Sequence, residues 1–390
     1  MQNFQFYINT NVFFGKGEIQ NLGREIKSCG QNIFLIYGGG SIKKTGLYDT
    51  VIDILNSEEI NITEFGSVEP NPTVATAKKG IAICREKKID GILCVGGGSV
   101  IDCGKAIAAG TYYDGSLWDL VCDPEKIKKA LPIITVVTMA AAGSEMDEYA
   151  VLTNEATFEK KSMHSLMIRP KVSIMDPEYT YTVPKCQTAA GVADIMSHLL
   201  DCYFKVVPGA YLQERVIEAL LITCLEYGPV VMESPDDYDA RANLMWASSW
   251  AVNGMVSKGF AGQSPVHPIE HPLSARYNVT HGAGLAVLTP NWMRFILETK
   301  EDALPIFVKY ARNVWKIEDL VDDRRLAEFA IEKTADFFKK LSLPSTLREL
   351  GIQTKEHFNE LAEIAVKAGA SKAYFSLNKK EIVKIYEMSF

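Results

Sequence analysis

The sequence has no Cys-x-x-Cys pair, no run of basic residues and no apolar stretch long enough to cross a bilayer. Each absence removes a class of function. The eight cysteines lie at 29, 84, 94, 103, 122, 186, 202 and 224, spacings that build neither a thiolate zinc site nor a redox dithiol. Several sit inside apolar runs, Cys94 in GILCVGG and Cys224 in LLITCLEYG, as buried thiols do, and that usage suits a reducing cytosol. A formal charge of −7 without Lys/Arg runs argues against nucleic acid or an anionic membrane as partner. The longest largely apolar run, ALPIITVVTMAAAG at 130–143, is too short for a span and contains Pro132; a buried strand plus turn is expected. The start, MQNFQFYINTNVFF, has neither a basic n-region nor a continuous apolar h-region, so the protein is expected in the cytoplasm.

Histidine is also scarce. Of six, four (His198, His267, His271 and His281) fall in the window Asp194–His281, in GVADIMSHLLD and HPIEHPLSARYNVTHG. Asp194 and His198 are four apart in an apolar-periodic segment, so a helix puts both on one face, one turn apart. One carboxylate with several neutral imidazoles suits Zn²⁺ or Fe²⁺, and an open coordination position would make such a site catalytic. The plainer alternative is a solvated stripe of Gln187, Asp194, His198, Asp201 and Lys205 opposite Val192, Ile195, Met196, Leu199 and Tyr203. Four imidazoles near one carboxylate are harder to explain as surface, and a metalloenzyme is the reading adopted.

At 390 residues two domains are expected. Residues 4–14 alternate like a strand pair turned near Asn9–Asn11. Candidate strands follow at 33–37, 61–65, 91–95, 133–137 and 172–175, with helical stretches near 45–57, 73–88 and 99–110. That alternation indicates a mostly parallel sheet covered on both faces, with ligands at the carboxyl ends of its strands. From about 184 strand signals stop, and helical patterns run at 210–227, 238–254, 301–315, 324–341 and 355–369. YTYTVP, ending at Pro184, marks the boundary between an α/β domain over 1–183 and a helical domain over 184–390.

Two strand ends carry the same letters. IFLIY is followed by Gly38-Gly39-Gly40-Ser41, and GILCV by Gly96-Gly97-Gly98-Ser99. Glycines at a strand-to-helix turn let backbone approach a phosphate, and the helix N-terminus supplies free N–H groups. The second copy is the better cradle, with Ser99 as cap of a helix through Asp102 to Ala109. Neither copy is G-x-G-x-x-G, and Gly104-Lys105-Ala106 does not complete a P-loop. The first copy has no acid to hold a ribose 2′-hydroxyl but is followed by Lys43 and Lys44, which favours NADP(H) over NAD(H).

With VFFGKG at 12–17, EPNPT at 69–73, GGGSVID at 96–102, TMAAAGSEMD at 138–147, LTPNWM at 288–293 and LPSTLRELGI at 343–352, the chain resembles the iron-containing (group III) alcohol dehydrogenases over essentially its full length. It is nearest their NAD(P)H-dependent butanol dehydrogenase branch. The resemblance implies the dehydroquinate synthase-like architecture, an α/β Rossmann-like N-terminal domain plus an all-α C-terminal domain with the active site in a cleft between them. It implies Asp194, His198, His267 and His281 as ligands of one Fe²⁺ or Zn²⁺, and His271 as the catalytic proton relay. It implies Gly97, Gly98 and Ser99 at the pyrophosphate and Asp102 nearby, with Asn71, Thr138, Asp147, Lys160 and Thr182 along the dinucleotide cleft. Gly38, Gly39, Gly40 and Ser41 would accommodate a 2′-phosphate. Ala142 departs from the Thr of many members. A homodimer is also expected from the resemblance.

The expected reaction is reversible hydride transfer between NADP(H) and a small primary alcohol or aldehyde such as butanol or butanal. Trp246, Trp250 and Phe260 are candidates for an aldehyde pocket, with core packing the commoner fate of each. His164 and His357 lie outside the cluster. One rival reading is a metallopeptidase, since His267–His271 matches H-x-x-E-H with Glu270 as base; Pro268 and Pro272 argue against the helix that motif needs. A glycerol dehydrogenase or dehydroquinate synthase on the same scaffold is the other.

Overall fold

Two apolar runs in the first half, Ile33–Tyr37 and Gly91–Gly96, fall in strands and are buried along their whole length, as expected of a parallel sheet covered on both faces. A computed structural model of the chain describes residues 1–205, 207–260, 264–319 and 321–390. The strands are β1 (Asn11–Phe14), β2 (Asn32–Tyr37), β3 (Asn61–Phe65), β4 (Gly91–Gly96), β5 (Ile133–Val137), β6 (Tyr149–Asn154), β7 (Glu159–His164) and β8 (Val172–Met175). The α-helices are α1 (Leu22–Lys27), α2 (Ser41–Lys44), α3 (Leu47–Ser57), α4 (Val74–Lys87), α5 (Gly98–Gly110), α6 (Leu117–Cys122), α7 (Lys185–Tyr203), α8 (Tyr211–Glu233), α9 (Tyr238–Val252), α10 (His267–Tyr277), α11 (His281–Thr299), α12 (Leu304–Asn313), α13 (Asp323–Lys340), α14 (Phe358–Ala368) and α15 (Lys379–Met388).

They form two compact units. The sheet unit comprises Tyr7–Val183 and Asp236–Asn253; the helical unit comprises Met1–Phe6, Pro184–Pro235 and Gly254–Phe390. The chain therefore divides at 183/184 and also at 6/7, 235/236 and 253/254, with α9 packed in the sheet unit.

In the sheet unit a six-stranded parallel sheet runs β1-β8-β5-β4-β2-β3. Alternate side chains of one strand feed opposite cores. Phe34, Ile36, Ile92 and Cys94 pack with Ala77 and Ile81 of α4 and Ile101 and Ala108 of α5. Ile33, Leu35, Leu93 and Val95 pack with Leu22 and Ile26 of α1 and Val51 and Leu55 of α3. Gly104 lets α5 lie against β4, since a Cβ there would come within 2.3 Å of Cys94 Sγ. From β2 the chain steps outward to β3, then crosses back to β4 and on to β5. The order reverses between β2 and β4, and both glycine turns lie at the carboxyl ends of those two strands, where open α/β sheets bind ligands.

Three local expectations change. Only Asn11–Phe14 of the 4–14 segment is a strand, because its partner is β8, in parallel, rather than a neighbouring hairpin arm. An antiparallel β6–β7 hairpin lies where no strand was expected; EKKSMH lacks the β-branched signal. The cap of α5 is Gly97, with Ser99 inside the first turn, so Ser99 is not the cap.

The helical unit is built around α7, which packs on α8 and α11, while α10 packs on α11 and α14. Most of the stripe read as a possible solvated face is inside: Asp194, Asp201 and Lys205 are buried, and Gln187 and His198 half-buried. No helix of the described residues is long and apolar enough to cross a membrane.

Candidate metal centre and dinucleotide turns

Three helices of the helical unit deliver the acid and the imidazoles. Asp194 and His198 come from α7, His267 and His271 from α10, and His281 is the first residue of α11. The close approach of α11 to α7 depends on Gly282, where a Cβ would lie 1.9 Å from the carbonyl oxygen of Ala190. The prolines do not prevent α10. Pro268 occupies its first turn, where an N–H has no helical partner, and Pro272 is accommodated within it. The Ile269 carbonyl, next to the one Pro272 leaves without a donor, receives the Tyr386 hydroxyl at 2.5 Å.

Asp194 Oδ1 lies 3.5 Å from His198 Nε2, 3.9 Å from His267 Nε2 and 3.7 Å from His281 Nε2. The ligating atoms of Asp194, His267 and His281 lie within 4.8 Å of one another, a grouping that does not include His198. The His198 ring instead stacks on that of His267, centroids 4.3 Å apart. His271 is half-buried at the edge, with its centroid 5.3 Å from that of His281; with Glu270 and His281 it forms a second close group.

Two observations show that these residues fit a divalent cation. Asp194 Oδ1 and His267 Nε2 are buried, face one another, and neither makes a hydrogen bond. Leaving both unsatisfied costs free energy that a cation between them would recover. The charges agree. Three buried carboxylates (Asp194, Asp201 and Glu270) and one buried ammonium, Lys205, leave two negative charges, which a divalent ion neutralises while every imidazole stays neutral.

The protonation tendencies follow. Burial alone would raise the Asp194 carboxyl, but His198, His267 and His281 outweigh it and hold it well below the usual range. Burial, with His267 beside it, pushes the His198 imidazole down to about 4, which keeps its lone pair available. Burial would also lower His267, yet Asp201 first and then Asp194 raise it to about 10. The two carboxylates, one on each side of its ring, draw positive charge to this site.

The sheet unit carries the other candidates. Gly97 turns the chain from β4 into α5 and Gly98 starts that helix. Both sit tightly: a Cβ on Gly97 would meet Met139 at 3.1 Å, and one on Gly98 would meet the Ala142 methyl at 3.0 Å. Thr138 donates its N–H to Gly96 (3.1 Å), holding the following loop beside this turn. Lys160 donates to the Asn71 side-chain oxygen at 2.9 Å, so these two candidates are neighbours. Asp102 accepts from the Ser144 hydroxyl (2.6 Å) and the Val151 N–H (3.0 Å). Asp147 accepts from buried Lys105 (2.6 Å) and the Tyr149 N–H (2.8 Å). These two carboxylates therefore hold 144–151 onto α5. Thr182 is exposed, just past the short turn Pro177–Thr180.

At the first turn, Gly40 has φ 95°, and Ser41 opens α2. A Cβ on Gly39 or Gly40 would meet no atom within 4 Å, so this turn is open. Lys43 lies over the rings of Tyr37 and Tyr48 and 4.0 Å from Glu64, whose oxygens accept both tyrosine hydroxyls. Trp246 packs edge-on against Phe14 and Trp250 within the sheet unit. Phe260 is half-buried in the helical unit.

Asp201, Glu270 and Lys105 belong to these sites and were not singled out for the roles they hold. Asp201 shares the α7 stripe with Asp194, and Glu270 stands three residues after His267, but their partners lie 66 and 11 residues away. Glu270 is wholly buried, with one oxygen on His281 Nδ1 and the other taken by the Ser274 hydroxyl. A peptidase base must face its substrate, so that rival loses its general base.

Comparison with known proteins gives one family. A model of the iron-containing alcohol dehydrogenases matches residues 9–177, and one described as the Fe-containing alcohol dehydrogenase family, C-terminal, matches residues 188–390. The chain is 50% identical to a NADH-dependent butanol dehydrogenase A of Clostridium acetobutylicum, with all of both chains covered. It is 37% identical to the NADPH-dependent aldehyde reductase YqhD of Escherichia coli over 90% of each. Among solved structures, a NADH-dependent butanol dehydrogenase A from Thermotoga maritima superposes with TM-score 0.93 at 35% identity, covering 100% of this chain and 99% of that one.

Proposed function

Because the chain belongs to the iron-containing alcohol dehydrogenase family and is an NAD(P)-dependent alcohol dehydrogenase, we propose that it interconverts a small primary alcohol and its aldehyde, of about butanal size, at the Asp194 cluster. The observation that carries this reading is the pair of buried, unpartnered atoms, Asp194 Oδ1 and His267 Nε2, facing one another. Asp194, His198, His267 and His281 would hold one Fe²⁺ or Zn²⁺, which supplies Lewis-acid polarisation of the substrate oxygen. The nicotinamide ring supplies or accepts the hydride.

The remaining work falls to the chain. Asp194 would lend negative charge to the ion, and Asp194 and His267, both buried, are held away from bulk water. His271, half-buried at the rim, passes the hydroxyl proton between substrate and solvent. Gly97, Gly98 and Ser99 bind the pyrophosphate through the first N–H groups of α5, with Asn71, Thr138, Lys160 and Thr182 positioning the rest of the cofactor. Asp102 and Asp147 act on it indirectly, by fixing the 144–151 segment.

For the dinucleotide we propose NADP(H), held at its 2′-phosphate by the open turn Gly38–Ser41 with Lys43 and Lys44. A second reading, NAD(H), is favoured by Glu64, which draws Lys43 toward itself, and by relatives at 49–50% identity named as NADH-dependent. The ratio of kcat/KM for NADPH to that for NADH decides between them, and Lys43→Ala lowers the ratio if the first holds. The eight cysteines are free thiols, which fits the proposed reducing cytoplasm. A homodimer is part of the proposal, and sedimentation equilibrium tests it.

The test of the reaction is NADPH consumption with butanal. It should vanish on chelation and return with Fe²⁺ or Zn²⁺. Turnover that survives complete metal removal would sink the reading.

A further inference from the structure

Among the described residues three carboxylates surround the imidazole cluster, and only Asp194 lies on the side of the Nε2 atoms. The other two stand behind the rings. Asp201, on α7, places Oδ2 2.5 Å from Nδ1 of His267 on α10. Glu270, on α10, holds Oε2 against Nδ1 of His281 on α11. An ionised carboxylate only accepts hydrogen bonds, so the hydrogen in each contact belongs to Nδ1. Nε2 is then the nitrogen that faces Asp194, at 3.9 Å and 3.7 Å from Oδ1. The arrangement is sequential: α7 carries the carboxylate that orients the α10 histidine, and α10 the one that orients the α11 histidine.

Both carboxylates are themselves fixed. The Val266 N–H donates to Asp201 Oδ1 at 3.3 Å. The Ser274 hydroxyl donates to Glu270 Oε1, and the missing side chain of Gly284 makes room, since a Cβ there would lie 2.7 Å from that oxygen. Asp201 is 2% exposed and Glu270 0%, so neither can reach substrate, and neither ring can turn without breaking a buried charged hydrogen bond.

We propose that Asp201 and Glu270 are positioning residues for the divalent ion: they lock His267 and His281 in the Nδ1–H tautomer with Nε2 turned inward, and so set how tightly the ion is held. The proposal rests on the metal reading above. Carboxylates in this position behind a ligating imidazole contribute about 10–100-fold to metal affinity.

The experiment uses the full-length protein loaded with Zn²⁺. Its Kd and release rate are measured by competition with a chromophoric chelator, for wild type and for Asp201→Ala, Asp201→Asn, Glu270→Ala and Glu270→Gln, with circular dichroism as a check of folding. Each alanine variant should bind Zn²⁺ about 10–100-fold more weakly. The amide variants keep an oxygen acceptor for Nδ1–H but lose the charge, so they should recover part of that loss and stay several-fold weaker than wild type. Where an alanine variant does not fold, its amide variant decides. Two-bond ¹H–¹⁵N spectra of the histidines give a readout that general packing would not move: His267 and His281 should carry the proton on Nδ1 in the loaded wild type. Wild-type affinity in the folded variants, or a proton on Nε2 in those two rings, would overturn the proposal. If the wild type takes up no Zn²⁺ or Fe²⁺, the metal reading falls first and this inference with it; tight wild-type binding with unchanged variants removes this inference alone.

Discussion

Each unit buries a cluster of carboxylates, and the two clusters are settled differently. In the sheet unit Asp102 and Asp147 find their partners within the protein: the Ser144 hydroxyl, the Lys105 ammonium and two backbone N–H groups. In the helical unit Asp201 and Glu270 are bonded to imidazoles, but Asp194 Oδ1 and His267 Nε2 have no hydrogen-bond partner. A closed network of buried charge holds parts of a fold together. An open one, with donor atoms of the right kind converging, is arranged for something brought from outside. The contrast separates structural acids from site acids more sharply than burial does, because Asp147 is as inaccessible as Asp194, Asp201 and Glu270.

The contrast can be broken at several points. The largest effect is expected from Asp194→Ala or His267→Ala, each of which should reduce alcohol turnover to background and abolish stoichiometric Zn²⁺ or Fe²⁺ uptake while the far-ultraviolet circular dichroism stays intact. Full activity in either would remove that residue from the ligand set. Lys105→Met should behave in the opposite way. It strands Asp147, costs about 3–5 kcal/mol in denaturant unfolding, and leaves metal affinity unchanged. Altered Zn²⁺ binding in this variant would show that the two clusters are not independent.

A smaller loss, about 1–3 kcal/mol, is expected for Ser144→Ala, which removes a hydrogen bond to half-buried Asp102; an unfolding midpoint equal to wild type would contradict it. The smallest effect concerns pH. Burial, opposed by Lys105, pushes the Asp147 carboxyl up to about 7. Without Lys105 that opposition is gone, so the folded-state pKa exceeds the unfolded one by more. A raised acid pKa means that the folded state binds more protons, so stability falls as pH rises through the window above the unfolded value. The deficit of Lys105→Met should therefore be wider at pH 8 than at pH 5, and a deficit independent of pH would argue that Asp147 does not titrate there.

Some of this was readable in the chain and some was not, for identifiable reasons. The strands β2, β3, β4, β5 and β8 announce themselves as short β-branched runs, and the glycine turns follow two of them, β2 and β4. The β6–β7 hairpin was hidden because its second arm, EKKSMH, is held by backbone pairing and carries little apolar pattern. Proline content argued against α10, but Pro268 falls in the turn that needs no donor, and Tyr386, over a hundred residues away, supplies one near Pro272. Asp194 and His198 are visible as a helical pair. Asp201 and Glu270 carry no comparable mark, because what distinguishes them is the imidazole each one touches, and that is fixed only when three helices have packed.

The delivery of the donor atoms by α7, α10 and α11 has one more consequence. An ion gripped by all three would be a fastener as well as a reagent, clamping segments that otherwise meet through side-chain packing. Stripping it from the protein should hasten amide hydrogen exchange along the beginnings of α10 and α11, while β2 and β4, which have no share in the grip, keep their protection.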